Sequence, residues 1–378
     1  MGKTIVCITE CEMILNYLFI KEMYQTGDKI LLISQRRLSH IIPHFKTLLP
    51  HLPIDSIILS NDGDEDLWDT ICRTIRNSLP KKDENYIVNL SSGTRLMSIA
   101  VQQVFERFDA QFYFMPIDRN VIINSHIDDE NDNNDDIVCP IQHQVSIDEY
   151  FAINGISFQK GKIEQSPEYT KDIYTIFTTD NISGQEYELL DFLRNNRYRN
   201  SKKPIDIDTI PNLRRFLLHI NFPLTDKTEE TIDKYEIRYL TGGWFEEHIY
   251  HLIKESINPY DIATGVTFRR EGIDRTISNE LDVIFTYNNR LFAIECKTGI
   301  SKESLYKDIV YKACALKEAL LGIRSNAYIF SLKRDTDKFQ NIARNLEIRF
   351  CGRNYTDNTE NINKLFLDPK ETEIFRNN

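Results

Sequence analysis

The chain opens on four short apolar runs: "KTIVCIT" (Lys3–Thr9), "KILLIS" (Lys29–Ser34), "DSIILS" (Asp55–Ser60) and "NYIVNL" (Asn85–Leu90). Helix-like segments separate them, at Cys11–Gln25, Leu38–Leu49, Glu65–Leu79 and Arg95–Phe108. Each run is apolar throughout rather than alternating, so each expects cover on both faces. Strands joined through helices run parallel, because only a long crossover brings the chain back to the same edge. The pattern predicts a parallel, doubly wound α/β sheet, with "AQFYFMPI" and "VIINS" as two further strands.

Length and composition bound the rest. With 378 residues, 41% of them hydrophobic, the chain has material for two or three cores. No apolar run approaches the roughly 18 residues of a membrane span, and the amino terminus lacks a signal-peptide pattern. A soluble, cytoplasmic protein with no membrane partner is expected. The seven cysteines are scattered and form no CxxC pair, which argues against disulfides and a zinc site. A net charge of −11 argues against a long nucleic-acid footprint. Any such contact must be local or bridged by metal ions.

The stretch "HIDDENDNNDD" (His126–Asp136) reads as a solvated loop and lacks the Gly and Glu of a calcium loop. Helices are expected at Gln185–Asn195 and Pro211–Ile220. Between them, Arg194, Arg197, Arg199, Lys202 and Lys203 surround Tyr198, a cluster suited to phosphates or simply to solvent.

The densest chemistry lies in "NELDVIFTYNNRLFAIECKTG". Asn288-Asn289 suits a two-residue turn, since Asn tolerates positive φ. The register then sets Phe285 against Phe292, Val283 against Ile294, Asp282 against Glu295 and Glu280 against Lys297. All four charged groups share a face with Ile284 and Ala293, while Leu281, Val283, Phe285, Phe292, Ile294 and Cys296 take the other. Two carboxylates that close repel unless a positive charge intervenes. A hard divalent cation supplies one, and Lys297 would stabilise negative charge developing beside it. A third acid is expected from the helix Trp244–Glu255, which follows a Gly-Gly break. Helical phase puts Glu246 in the apolar stripe of Phe245, Ile249, Leu252 and Ile253, and Glu247 on the opposite side. Glu246 is therefore the expected ligand.

In an open parallel sheet, ligands sit beyond the carboxyl ends of the strands. Here those ends are Thr9-Glu10, Ser34-Gln35-Arg36, Ser60-Asn61 and "NLSSGTRLM". The last is a polar, glycine-bearing turn entering a helix, a place that favours an anion. Ser92 and Thr94 can donate hydrogen bonds and Arg95 adds charge. Equally, Ser92 or Thr94 could merely cap the helix.

Asp282 and Glu295-Cys296-Lys297, behind a helix bearing Glu246, resemble the PD-(D/E)xK nuclease superfamily with its restriction-endonuclease-like fold. That resemblance implies phosphodiester hydrolysis with Mn²⁺ or Mg²⁺, metal ligation by Asp282, Glu295 and Glu246, a catalytic Lys297, and an assisting Glu280. The "SSGTR" turn resembles the CRISPR-associated Rossmann fold, CARF, whose members bind cyclic oligoadenylates at a homodimer interface. The order of the two resembles the ancillary nucleases of type III CRISPR systems, activated by cyclic tetra-adenylate and cutting single-stranded or duplex DNA or RNA. It implies ligand contacts from Asn89, Ser92, Gly93, Thr94 and Arg95, with Thr9, Glu10, Gln35 and Arg36 at the rim. The expected division is a CARF domain at 1–145, a connecting, partly helical region at 146–237, and a nuclease domain at 238–378. The competing readings are a non-enzymatic, ligand-responsive nucleic-acid-binding regulator, and a restriction or repair endonuclease.

Overall fold

The computed structural model describes residues 2–9, 13–59, 68–80, 85–116, 119–124, 138–179, 181–196, 203–225, 228–270, 279–299, 325–332 and 348–367. Outside them fall Glu10, the acidic run 126–136, the basic residues Arg197, Arg199 and Lys202, Asn61, and the helix expected over 305–321.

Seven strands form the first sheet: β1 (Thr4–Ile8), β2 (Lys29–Gln35), β3 (Ile54–Leu59), β4 (Tyr86–Asn89), β5 (Gln111–Phe114), β6 (Val121–Asn124) and β7 (Val138–Pro140). Their spatial order is β3-β2-β1-β4-β5-β6-β7. The first five run parallel, as the sequence rhythm predicts. β6 runs antiparallel to β5, because the link 115–120 is too short for a crossover, and β7 runs antiparallel to β6. Helices α1 (Met13–Met23), α2 (Ile42–Leu48), α3 (Trp68–Ser78) and α4 (Arg95–Phe105) accompany the parallel part. Along β1, Ile5 and Cys7 enter one core while Val6 and Ile8 enter another with Ile71 and Ile75 of α3 and Val101 and Val104 of α4. Burial on both faces explains the unbroken apolar runs of β1 and β4, whereas the edge strand β3 leaves Ile58 exposed. Chain order reverses between β1 and β4, so their carboxyl ends make the switch point of the sheet.

The stretch after β7 supplies α5 (Ile147–Ile153), β8 (Ile156–Gln159), α6 (Pro167–Thr178), α7 (Gly184–Asn196), the strand pair β9 (Ile205–Asp206) and β10 (Thr231–Ile232), and α8 (Leu213–His219). Then come α9 (Lys234–Arg238), α10 (Trp244–Ile257), β11 (Asp261–Arg270), β12 (Asn279–Tyr287), β13 (Arg290–Lys297), β14 (Ser325–Ser331), β15 (Ile348–Cys351), α11 (Arg353–Thr356) and α12 (Thr359–Leu367). The second sheet runs β15-β14-β13-β12-β11-β8. Its edge strand β8 comes from the connecting stretch, where the sequence reading placed no strand. The expected Gly-Gly break is instead a π-helical turn, Tyr239–Gly243, which carries α9 into α10.

Helix α10 covers one face of this sheet and is itself covered by α6. Phe177 stacks on Trp244 with ring centroids 4.7 Å apart, and Tyr174 on His248 at 4.3 Å. The other face shares a core with the first sheet: Tyr17, Phe19, Phe151, Val266, Phe268, Ile284 and Ala293 belong to one contiguous cluster. Among the described residues no helix is long and apolar enough to cross a membrane.

Candidate active site

The β12–β13 turn adopts the form its sequence demands. Asn288 and Asn289 both have positive φ, +48° and +57°, as a type I′ hairpin requires. The expected register holds from Tyr287↔Arg290 to Val283↔Ile294, where the ladder ends. Beyond it the Asp282 carboxylate takes over the bridging role, accepting from the Cys296 N–H at 2.7 Å. On the other side β11 carries Gly265 with φ +57°, between the pairs Thr264↔Val283 and Val266↔Leu281 and thus level with Asp282. The alternation expected of β12 breaks at this point. Leu281 packs in the core of Val266 and Phe268, away from Val283 and Phe285.

Asp282 and Glu295 are buried, at 7% and 4% exposure. The Lys297 ammonium lies between them, 2.6 Å from Glu295 Oε1 and 3.7 Å from Asp282 Oδ2. Burial alone would favour its neutral form. The two carboxylates outweigh that and hold its pKa above the ordinary lysine range. Glu280, expected opposite Lys297, pairs instead with Arg238 at the end of α9.

Helix α10 brings Glu246 to the same place. Its carboxyl is pushed up to about 8, first by burial and then by the charge of Asp282, with Arg238 and Lys297 pulling the other way. The phase argument for Glu247 fails, and for a clear reason. That side of α10 is covered by the segment leading into α6, so Glu247 is buried, at 4% exposure. It accepts from the N–H groups of Glu164 (2.5 Å) and Gln165 (3.2 Å) and from the Tyr239 hydroxyl (2.8 Å). These bonds anchor a chain crossing and leave Glu246 as the acid facing Asp282.

Among the described residues, no three His, Cys, Asp or Glu side chains are gathered into a metal cage. The donor chemistry nevertheless fits a hard divalent cation. Asp282, Glu295 and Glu246 all offer oxygen donors, and the charge of Asp282 adds to burial in raising the pKa of Glu246.

At the switch point of the first sheet a set of neutral side chains satisfies one another. Asn16, buried in α1, donates to the Ile8 carbonyl at 2.7 Å and accepts from Asn89 at 2.9 Å. Asn89 Oδ1 accepts from the N–H and hydroxyl of Ser91, and the Ser91 hydroxyl accepts from the Met115 N–H at 2.6 Å. Asn89 and Thr9 are fully buried, so they shape the turn rather than line its surface. Thr94 caps α4, its hydroxyl accepting from the Met97 N–H at 3.2 Å. Gly93 has φ +101°, and a Cβ there would come within 2.7 Å of Ile8. The Ser92 hydroxyl is buried without a hydrogen-bond partner among the described residues. Gln35 is buried and accepts from Arg37 Nε at 2.9 Å. Arg36 and Arg95 stand exposed.

Sequence reasoning missed Asn16, Ser91, Arg37 and Arg238. Asn16 did leave a signal, a lone amide inside the apolar helix "MILNYLFIKEM".

A model of the Card1 CARF domain matches residues 4–150, and one of the Card1-like endonuclease domain matches residues 233–371. The chain carries a Card1-type CARF domain and a Card1-like endonuclease domain. It is an endonuclease, with the acids and Lys297 inside the endonuclease match and the "SSGTR" turn inside the CARF match. Among solved structures, protein VC1899 from Vibrio cholerae is similar over 99% of this chain and 97% of its own, at TM-score 0.75 and 17% identity. Can2 from Sulfobacillus thermosulfidooxidans, in complex with cyclic tetra-adenylate, is similar over 97% and 98%, at TM-score 0.70 and 18% identity. A type III CRISPR defence DNA nuclease activated by cyclic oligoadenylate is similar over 89% of this chain and 46% of its own, at TM-score 0.52 and 12% identity. A search of curated proteins finds no match.

Proposed function

We propose that the chain is a divalent-metal-dependent nuclease of type III CRISPR defence, switched on when its CARF domain binds cyclic tetra-adenylate. The observation that carries this reading is the corner where β12 and β13 part, which brings Asp282, Glu295 and Lys297 together beneath Glu246. Asp282, Glu295 and Glu246 hold Mn²⁺ or Mg²⁺. Such an ion would supply polarisation of the phosphate and a more acidic water. Asp282 keeps the strand ends in place through Cys296, while Lys297 keeps a full positive charge where negative charge develops on the phosphate. Glu280 orients Arg238 beside the acids.

The CARF ligand binds at the β1/β4 switch point. Thr94, Gly93 and the α4 N-terminus present N–H groups, Ser92 supplies a hydroxyl with no partner among the described residues, and Arg95 and Arg36 supply charge. Asn89, Thr9 and Gln35 buttress the site from beneath. Two copies of the turn around one cyclic ligand imply a homodimer, acting in the cytoplasm.

The deciding test uses the full chain with Mn²⁺ and labelled single-stranded and duplex DNA and RNA, with and without cyclic tetra-adenylate. Cleavage that rises with the ligand is expected. Cleavage indifferent to every cyclic oligoadenylate, or independent of divalent metal, would overturn the reading.

A further inference from the structure

The turn between β12 and β13 lies at the opposite end of the hairpin from the acids, and it is plugged into the CARF domain. Asn289 is 2% exposed. Its side-chain oxygen accepts from the Val145 N–H at 2.9 Å. Its side-chain nitrogen donates to Asn120 Oδ1 at 2.8 Å and to the His143 carbonyl at 2.9 Å. All three partners lie within the CARF match. Asn120 is itself tied to the end of the first sheet, exchanging hydrogen bonds with both backbone groups of Ile141. A second tie lies one strand over, where Ile147 N–H donates to Asp261 Oδ2 at 2.9 Å and Asp261 pairs with Thr286 of the same hairpin.

The geometry narrows what can fill this position. The turn needs a residue that accepts φ +57°, and the socket needs an oxygen on one side and a nitrogen on the other. A buried amide with three fixed partners leaves little slack. From Asn289 to Glu295 the strand spans six residue steps, about 20 Å. A paired antiparallel hairpin of that length moves as a body, so displacement at the turn reaches the acids.

We propose that Asn289 is the positioning residue that couples the CARF domain to the endonuclease site within one chain. Its amide fixes the hairpin to Val145, His143 and Asn120, and the hairpin carries ligand-driven movement of the CARF sheet to Asp282, Glu295 and Lys297. This rests on the reading of the chain as a nuclease activated by cyclic tetra-adenylate. Coupling between two sites needs an element that both can bias, and this hairpin touches one domain at each end.

The test compares full-length Asn289→Gly, which keeps the turn and drops all three bonds, with Asn120→Ala, which removes one partner. Ligand binding is titrated directly, and cleavage of the best substrate is measured with and without cyclic tetra-adenylate. Both variants are expected to bind the ligand and to cut without it as the wild type does. Activation should fall about tenfold in Asn289→Gly and less in Asn120→Ala. Linkage gives a second readout that needs no turnover. Nucleic acid held uncut in Ca²⁺ should tighten ligand binding in the wild type and lose that effect in Asn289→Gly. Undiminished activation in a folded Asn289→Gly overturns the proposal. So does an equal fall in ligand-free and activated rates, which marks a merely structural role. If Asn289→Gly does not fold, Asn120→Ala decides by the same criteria. A wild type indifferent to cyclic tetra-adenylate overturns the underlying reading instead.

Discussion

The two sites of this chain solve the burial of polar groups in opposite ways. At the CARF switch point Asn16, Asn89 and Ser91 are neutral, and each supplies what the next one lacks. At the endonuclease corner the Asp282 and Glu295 carboxylates flank the Lys297 ammonium, and burial with the charge of Asp282 makes Glu246 harder to ionise. A closed neutral network rigidifies a surface and leaves its exposed edge for recognition. Neighbouring buried acids favour positive charge beside them, and Lys297 supplies some of it. One network closes on itself; the other leaves acidic side chains close together.

The sharpest way to break this contrast is to neutralise the acids without changing their shape. Asp282→Asn or Glu295→Gln should lower cleavage by about a hundredfold to a thousandfold. Melting temperature should hold in Asp282→Asn, because the new amide would still offer an oxygen to the Cys296 N–H. Near-wild-type cleavage by either variant would remove that residue from the chemistry. Asp282→Ala is a poorer probe, since it strands a buried N–H.

Adjacent residues of α10 extend the contrast. Glu246→Gln should lose activity by about a hundredfold with little change in stability. Glu247→Ala should do the reverse, unfolding more easily by about 3 kcal/mol, because it leaves two N–H groups and a tyrosine hydroxyl without their acceptor. Parallel melts and cleavage assays separate the two, and the opposite pairing of effects would exchange their roles.

At the neutral site the same division is milder. Arg95→Ala should weaken cyclic tetra-adenylate binding about tenfold at unchanged melting temperature, since the side chain is exposed. Asn89→Ala should destabilise the fold by about 1–3 kcal/mol, because it leaves Asn16 and Ser91 unsatisfied in the core. Titration calorimetry and thermal melts check both. Loss of stability in Arg95→Ala would place it in the scaffold.

The smallest effect concerns the joint between the sites. Burial alone would raise the pKa of Glu149, but hydrogen bonds from His143, Tyr17 and Ser146 outweigh it and lower the value from 4.5 to about 2. A carboxylate lowered in this way contributes stability above pH 4.5 and loses it as pH falls toward 2. Glu149→Gln should therefore show a shallower fall in melting temperature over that window. An unchanged slope would mean that the network does not survive in solution.

What the sequence revealed follows the same line. The hairpin register was legible because Asn288-Asn289 admits few turns and a one-residue slip would invert every side chain. The parallel strands were legible because burial on both faces leaves a continuous apolar run. Glu247 misled because helical phase assumes one buried side, whereas α10 lies between the sheet and α6. Strand β8 was hidden because "ISFQ" is too short to show a period, and its partner β11 lies a hundred residues away. The role of Asn89 could not be read from "NLSSGTRLM" alone, because its partner Asn16 sits on another helix.

Strand β8 and the core that runs from Tyr17 to Ile284 have a consequence for modularity. The chain resembles two cassettes in sequence, and severing it at either expected boundary would strip an edge strand from one sheet or expose apolar surface on both. Exchange of the CARF domain for another, in evolution or in the laboratory, would have to carry along α5, β8 and the socket for Asn289. What is inherited as a unit is therefore the sensor together with the seam that fits it to its nuclease.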